Sequence, residues 1–265
     1  MELFHFRQGR TPLLVSMPHV GTHLPEALAQ RMTPVARTVP DTDWHLERLY
    51  DFVDRIGASL LVATHSRFVV DLNRPPDNAN LYPGQDTTSL CPIDTFDKQP
   101  VYLPGQAPGE AEIAVRVDTY WKPYHAKLAE ELARLRARHG VALLWDAHSI
   151  ASRVPRFFEG RLTDFNLGTA RGTACAPQIG ARMLEIAQAA QGYTAVLNGR
   201  FTGGYITRTY GQPATNVHAV QLELSEITYM DEPHPFRFRE DLADGVRPHL
   251  RAMLEAFLQL GSALK

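Results

Sequence analysis

The sequence predicts an α/β fold, and three observations lead there. Stretches with strand patterning alternate with stretches of helical periodicity along the 265 residues, the order that builds one sheet flanked by helices. Residues 141–145, Val-Ala-Leu-Leu-Trp, form an unbroken apolar run, which reads as a strand buried on both faces in the middle of a sheet. Near the C-terminus Phe238, Leu242, Val246, Leu250, Leu254 and Leu258 recur at helical spacing, which predicts a terminal helix packed on that sheet. A chain of this length buries a substantial core, and with no low-complexity linker the expectation is one domain over 1–265.

In chain order, the apolar run at 11–17 predicts the first strand, stopped by Pro18, His19, Gly21, His23 and Pro25. Residues 26–36 read as a helix. Leu46, Leu49, Phe52, Val53 and Ile56 repeat with helical spacing, with Asp41 as N-cap, Asp43 in the first turn and Gly57 as the stop. Residues 58–63 and 68–71 predict two strands, the second ended by the prolines after Asn73 and Arg74. Residues 75–108 are rich in Pro, Gly, Asp and Asn. A loop that long is more often functional than a mere connector, and a lid over a pocket is its natural use. A helix follows over 110–138, kinked or divided by Pro123, and then the 141–149 strand. Residues 151–174 read as irregular, 176–190 as a helix, 194–197 as a short strand, 198–208 as a glycine-rich loop and 217–225 as a strand.

Composition narrows the function classes. Hydrophobic residues make up 44% and charged residues 21%, ordinary for a globular protein, and the net charge of −2 offers nothing to nucleic acid or an anionic membrane. No apolar run approaches the 18 or so residues of a membrane span. The N-terminus lacks signal-peptide layout, and Cys91 and Cys175 build no disulfide framework, so the expected home is the cytoplasm.

Chemistry gathers at strand ends, where open α/β sheets collect their functional groups. The 141–149 strand ends in Asp146, His148 and Ser149, and a period of two puts Asp146 and His148 on one side. His19 follows the first strand, and Asp41, Asp43 and His45 sit at a helix start. Two histidines and one carboxylate from separate elements suit catalytic zinc, which leaves one position open for water. No H-E-x-x-H is present, and His23, His45, His65, His125, His218 and His234 read as ordinary polar residues. Glu223, near the end of an apolar strand that also carries Gln221, is the candidate general base, its pKa raised by burial. Asn73 and Arg74 after a strand end, and Arg200 and Arg208 in a glycine-rich loop, suit recognition of a carboxylate.

Eight segments carry a resemblance: Ser16-Met-Pro-His-Val-Gly21, Asp41-Thr-Asp-Trp-His45, Phe68-Val-Val-Asp-Leu-Asn-Arg-Pro75, Leu144-Trp-Asp-Ala-His-Ser149, Asp164-Phe-Asn-Leu-Gly-Thr169, Leu197-Asn-Gly-Arg-Phe201, Gly203-Gly-Tyr-Ile-Thr-Arg208 and Val220-Gln-Leu-Glu-Leu224. In this order, across nearly the whole chain, they resemble the N-formylglutamate amidohydrolase family. The resemblance implies a deformylase that cleaves N-formyl-L-glutamate to formate and L-glutamate in a histidine-degradation route. Related N-acyl or N-formimino amino acid hydrolases, or a carboxylate-binding protein without catalysis, are the alternatives. It further implies a three-layer α/β/α fold with a central mixed sheet, like that of zinc exopeptidases and aspartoacylases. By the same resemblance the cofactor is Zn2+ or another divalent ion, held by His19 and His148. Glu223 is then the base, Asn73 and Arg74 a carboxylate clamp, with Arg200 or Arg208 for the second carboxylate of a small dicarboxylate substrate. The carboxypeptidase pattern places its acidic ligand three residues after the first histidine, where this chain has Thr22. Asp43 is the choice for that ligand, ahead of Asp41 and Glu26, and Asp146 is expected behind an imidazole, orienting it.

Overall fold

The computed structural model describes residues 1–264. Strands β1 (Phe4–Arg7), β2 (Leu13–Met17), β3 (Ser59–Ala63), β4 (Ala142–Ile150), β5 (Phe165–Gly168), β6 (Ala195–Leu197) and β7 (Val217–Ser225) form one sheet in the order β1-β3-β2-β4-β7-β5-β6. Strands β3, β2, β4 and β7 are parallel, while β1 and the β5–β6 pair run the other way, so the sheet is mixed. The helices are α1 (Glu26–Ala29), α2 (Leu46–Leu49), α3 (Val53–Ile56), α4 (Glu110–Arg116), α5 (Lys122–His139), α6 (Pro177–Ala189), α7 (Tyr205–Tyr210) and α8 (Glu240–Ser262).

Every residue of β4 is buried, as the apolar run at 141–145 demands of a central strand. Alternation sorts its side chains into two cores. Leu143, Trp145 and Ala147 meet Ile179 and Met183 of α6 and Leu250 and Leu254 of α8; Ala142 and Leu144 meet Leu128, Leu132 and Leu135 of α5. Helices therefore cover both faces, giving three layers. No helix among the described residues is long and apolar enough to cross a membrane.

Several local expectations give way to tertiary structure. The helix expected at 26–36 is only α1, because Pro34 disfavours helix before it and residues 31–33 turn away to bond with 101–103. The expected helix after Asp41 splits into α2 and α3. Asp41 caps neither; its carboxylate accepts the Phe96 N–H at 2.9 Å, and His45, left-handed at φ 62°, precedes α2. Residues 68–71 are a turn running into irregular chain rather than a strand. Phe68 and Val69 are apolar because they pack with Leu28, Met32 and Val101 in a separate small core. Strand β1, strand β5 within 151–174 and helix α7 within the glycine-rich loop were not anticipated; each is short and takes its pairing or packing from distant segments. Pro123 does divide its helix: a π-helical turn, Val117–Trp121, separates α4 from α5 just before it.

Candidate metal centre and active site

Parallel register sets the floor of the site. Opposite neighbours on β4 and β7 are Asp146 with Gln221 and His148 with Glu223, all on the α5 side of the sheet at its carboxyl edge. His19 lies just beyond the end of the adjacent β2, and its carbonyl accepts the Asp43 N–H at 3.0 Å, drawing the 41–45 loop over the same edge.

Ligand atoms of His19, Asp43 and His148, all buried, lie within 4.8 Å of one another. Nδ1 of His148 is 3.1 Å and Nδ1 of His19 is 3.8 Å from Asp43 Oδ2, which also accepts the Ser149 N–H at 3.2 Å. The opposite ring nitrogens face buried carboxylates: His19 Nε2 is 2.7 Å from Asp71 Oδ1, and His148 Nε2 is 3.3 Å from Asp146 Oδ1. Carboxylates placed behind imidazoles in this way orient them as metal ligands. Asp146 Oδ1 is buried and makes no hydrogen bond among the described residues, while its other oxygen accepts from the Thr207 hydroxyl at 3.2 Å. Two imidazoles and a carboxylate, with no thiolate, fit zinc or a similar divalent ion. Glu26 is away from the group, near Gln30 on the surface, and Asp41 is taken by Phe96.

Charge here is tightly balanced. Burial opposes ionisation of Asp71, but His19 and Arg67 (2.7 Å) outweigh it and hold its pKa well below the carboxylate range. Burial also opposes a charged His148, yet Asp146 and Asp43 hold its pKa well above the usual value. Burial and the neighbouring Arg67 lower that of His19. Glu223 is pushed up to about 8, chiefly by burial, with His148 pulling it down and Asp43 pushing it up.

Above this floor lies a cavity. His19, His148 and Glu223 line it, as do Asn73, Arg74 and Arg200. Arg74 is held by the Thr88 carbonyl and hydroxyl, and Arg200 by the Phe157 carbonyl at 2.6 Å; among the described residues neither forms an ion pair with a carboxylate. Burial, and Arg74 nearby, lower the pKa of Arg200. Arg208 is not in the cavity lining; its guanidinium donates to Gly203 O and Thr202 Oγ1 and lies over the Tyr82 ring. Asn73 lines the cavity, but its amide is already engaged. Oδ1 accepts the Ile206 N–H, and Nδ2 is 3.0 Å from His148 Nε2. Ser149 makes a structural bond, its hydroxyl accepting from Tyr229.

Sequence reasoning missed Arg67, Tyr82 and the role of Asp71. Arg67 and Asp71 left a signal, opposite charges four apart around an apolar turn, whereas Tyr82 lies in a loop with no pattern to mark it. The 75–108 segment contributes Tyr82, Asp86, Thr87 and Phe96 to the cavity wall, anchored from outside by Arg156 to Asp86 and Asp94.

A mixed α/β sheet that gathers two imidazoles, Glu223 and the Arg74 and Arg200 guanidinium groups around one cavity, with a group beneath that could hold a metal ion, has the parts of a hydrolase for anionic substrates. The chain belongs to the N-formylglutamate amidohydrolase family, whose sequence model matches residues 11–230. It is 54% identical over 260 residues to the N-formylglutamate deformylase of Pseudomonas aeruginosa, covering 98% of this chain and 97% of that one. To the enzyme of that name from Pseudomonas putida it is 49% identical over 261 residues, with the same coverage. The crystal structure of N-formylglutamate amidohydrolase from Ralstonia eutropha superposes over 100% of this chain and 98% of that one, with a TM-score of 0.82 at 25% identity. A gene product of Agrobacterium tumefaciens shares the fold at a TM-score of 0.74 and 17% identity, over 98% of this chain and 96% of its own.

Proposed function

We propose that this chain hydrolyses the formyl amide of N-formyl-L-glutamate, releasing formate and L-glutamate, with a divalent ion held by His19, Asp43 and His148. The observation that carries the reading is that Glu223, Arg74, Arg200 and the two histidines share one cavity, with Asp43 beside the histidines beneath it. When bound, the ion supplies Lewis acidity toward the amide carbonyl and makes water a stronger nucleophile at neutral pH.

The chain's own groups do the rest. Glu223 takes a proton from the attacking water and returns it to the leaving nitrogen as the C–N bond breaks; burial raises its pKa above the ordinary carboxylate range and so makes it a stronger base. Arg74 and Arg200 hold the two carboxylates of the glutamyl part, which relieves their mutual repulsion. Asp71 and Asp146 keep the ligand imidazoles turned inward.

Purified protein loaded with zinc is to be offered N-formylglutamate, N-formylaspartate, N-acetylglutamate and N-formiminoglutamate, with amine release measured. Preference for N-formylglutamate is expected, together with loss of turnover on chelation and recovery on adding zinc. Faster turnover of another member of the panel, or activity indifferent to chelator, overturns the reading.

A further inference from the structure

We propose that Gln221 is a positioning residue for Glu223, locked in one orientation by the start of α7. The proposal rests on the reading of Glu223 as general base.

The two ends of a glutamine amide have nearly the same shape, so its orientation is set by its neighbours. Here the Gly204 N–H donates to Gln221 Oε1 at 2.6 Å. The NH2 end therefore faces away from α7, and Gln221 Nε2 lies 3.4 Å from Glu223 Oε2. Catalytic hydrogen bonds are commonly this long until substrate engages them. The opposite orientation would set the NH2 group against the Gly204 N–H, donor to donor, at a side chain buried from water.

Neither anchor can shift. A Cβ on Gly204 would lie 2.3 Å from Asn73 Nδ2, and one on Gly168 would lie 2.6 Å from Gly203 N, so the start of α7 is wedged between Asn73 and the end of β5. Gln221 itself pairs with Asp146 on one side and Gly168 on the other, in the middle of the sheet. The backbone of Glu223 is held too, its carbonyl accepting Asn166 Nδ2 at 3.0 Å. The result is a donor aimed at one oxygen of Glu223, which leaves the second oxygen to meet the water it must deprotonate.

The test uses the zinc-loaded enzyme. Gln221→Glu keeps an acceptor for the Gly204 N–H but replaces the fixed amide donor with a carboxyl that must share a proton with Glu223. Expected is a fall in kcat of about 10- to 100-fold, the scale of a small misplacement of a catalytic group, with KM within about threefold of the parent and zinc content and Tm unchanged. In a Glu223→Gln background the same change should cost less than about twofold, because there is no base left to position. A kcat within about twofold of the parent overturns the proposal, as does an equal loss in both backgrounds, which marks a merely structural role. Gln221→Met, similar in length and with neither donor nor charge, is read beside it by the same kcat criteria, so that a loss seen only with the added carboxyl also overturns the proposal. Near-parental turnover by Glu223→Gln alone is the separate failure of the general-base reading, and it removes this assignment with it.

Discussion

Glu223 and the cavity arginines carry the sharpest expectations at the scale of single residues. Glu223→Gln removes the proton acceptor but not the metal ligands, so kcat should fall by about 100-fold or more while bound zinc, measured by elemental analysis, stays stoichiometric. Arg200 and Arg208 stand eight residues apart and looked equivalent in the sequence. The structure separates them, because Arg200 lines the cavity and Arg208 spends its donors on Gly203 and Thr202. Arg200→Ala should raise KM for N-formylglutamate about 10- to 100-fold, the scale of a hydrogen bond to a charged group of roughly 1.5–3 kcal/mol. Arg208→Ala should raise it far less, and equal effects in initial-rate assays would dissolve the distinction.

Among elements, the short α7 matters beyond its length. The Gly204 N–H just before it meets Gln221 and its Ile206 N–H meets Asn73, while the preceding Gly203 carbonyl accepts both the Tyr82 hydroxyl and Arg208 Nε. It thus joins β7, the 71–74 turn and the long 75–108 segment. Gly204→Ala is expected to disturb all three, because the added methyl overlaps Asn73. Both Tm and kcat should drop, and a variant indistinguishable from the parent in thermal melting and turnover would show that the wedge gives way freely. The sequence could not announce this helix, since residues 205–210 are too few for a periodic pattern and its role comes from contacts with segments far away in the chain.

Across the whole molecule, the acidic groups around the centre oppose one another in their dependence on pH. Asp71 has a folded pKa below its ordinary 3.8, so its stabilisation is present above that value and is lost as pH falls through the folded pKa. Burial first, and then Asp43 and Glu232, raise Glu226 well above its ordinary 4.5; its contribution is full below 4.5 and is lost as pH rises through the folded pKa. In metal-free protein, Glu226→Gln should therefore gain stability over the parent as pH is raised from 4.5, and Asp71→Asn should lose the parent's advantage above 3.8. Urea midpoints across that range check both signs, and parallel curves for parent and variants would refute them. A divalent ion at the centre favours ionised carboxylates, so zinc uptake near pH 7 should release protons, Glu223 with its pKa of about 8 being one source. His148, held protonated without metal, is another source; calorimetry in buffers of different ionisation enthalpy should therefore find fewer protons released by Glu223→Gln than by the parent, and equal release would mean that Glu223 lies outside the field of the ion.

What the sequence determined by itself is the part that repeats. The buried strand at 141–145, the helices at 177–189 and 240–262 and the 217–225 strand were legible because burial imposes periods of two and 3.6 on consecutive residues. The strand-end positions of His148 and Glu223 followed from them. Tertiary structure alone decided which acidic residue stands beside the two histidines. Asp41 and Asp43 differ by two positions in an irregular loop; one carboxylate meets the Phe96 N–H and the other meets His148. It also decided that Arg200 lines the cavity and Arg208 does not, and that Arg67 belongs to the centre. Loop residues carry no period, and their partners lie far away in the chain, 105 positions for Asp43 and His148 and 133 for Asn73 and Ile206, so only the folded sheet edge brings them together.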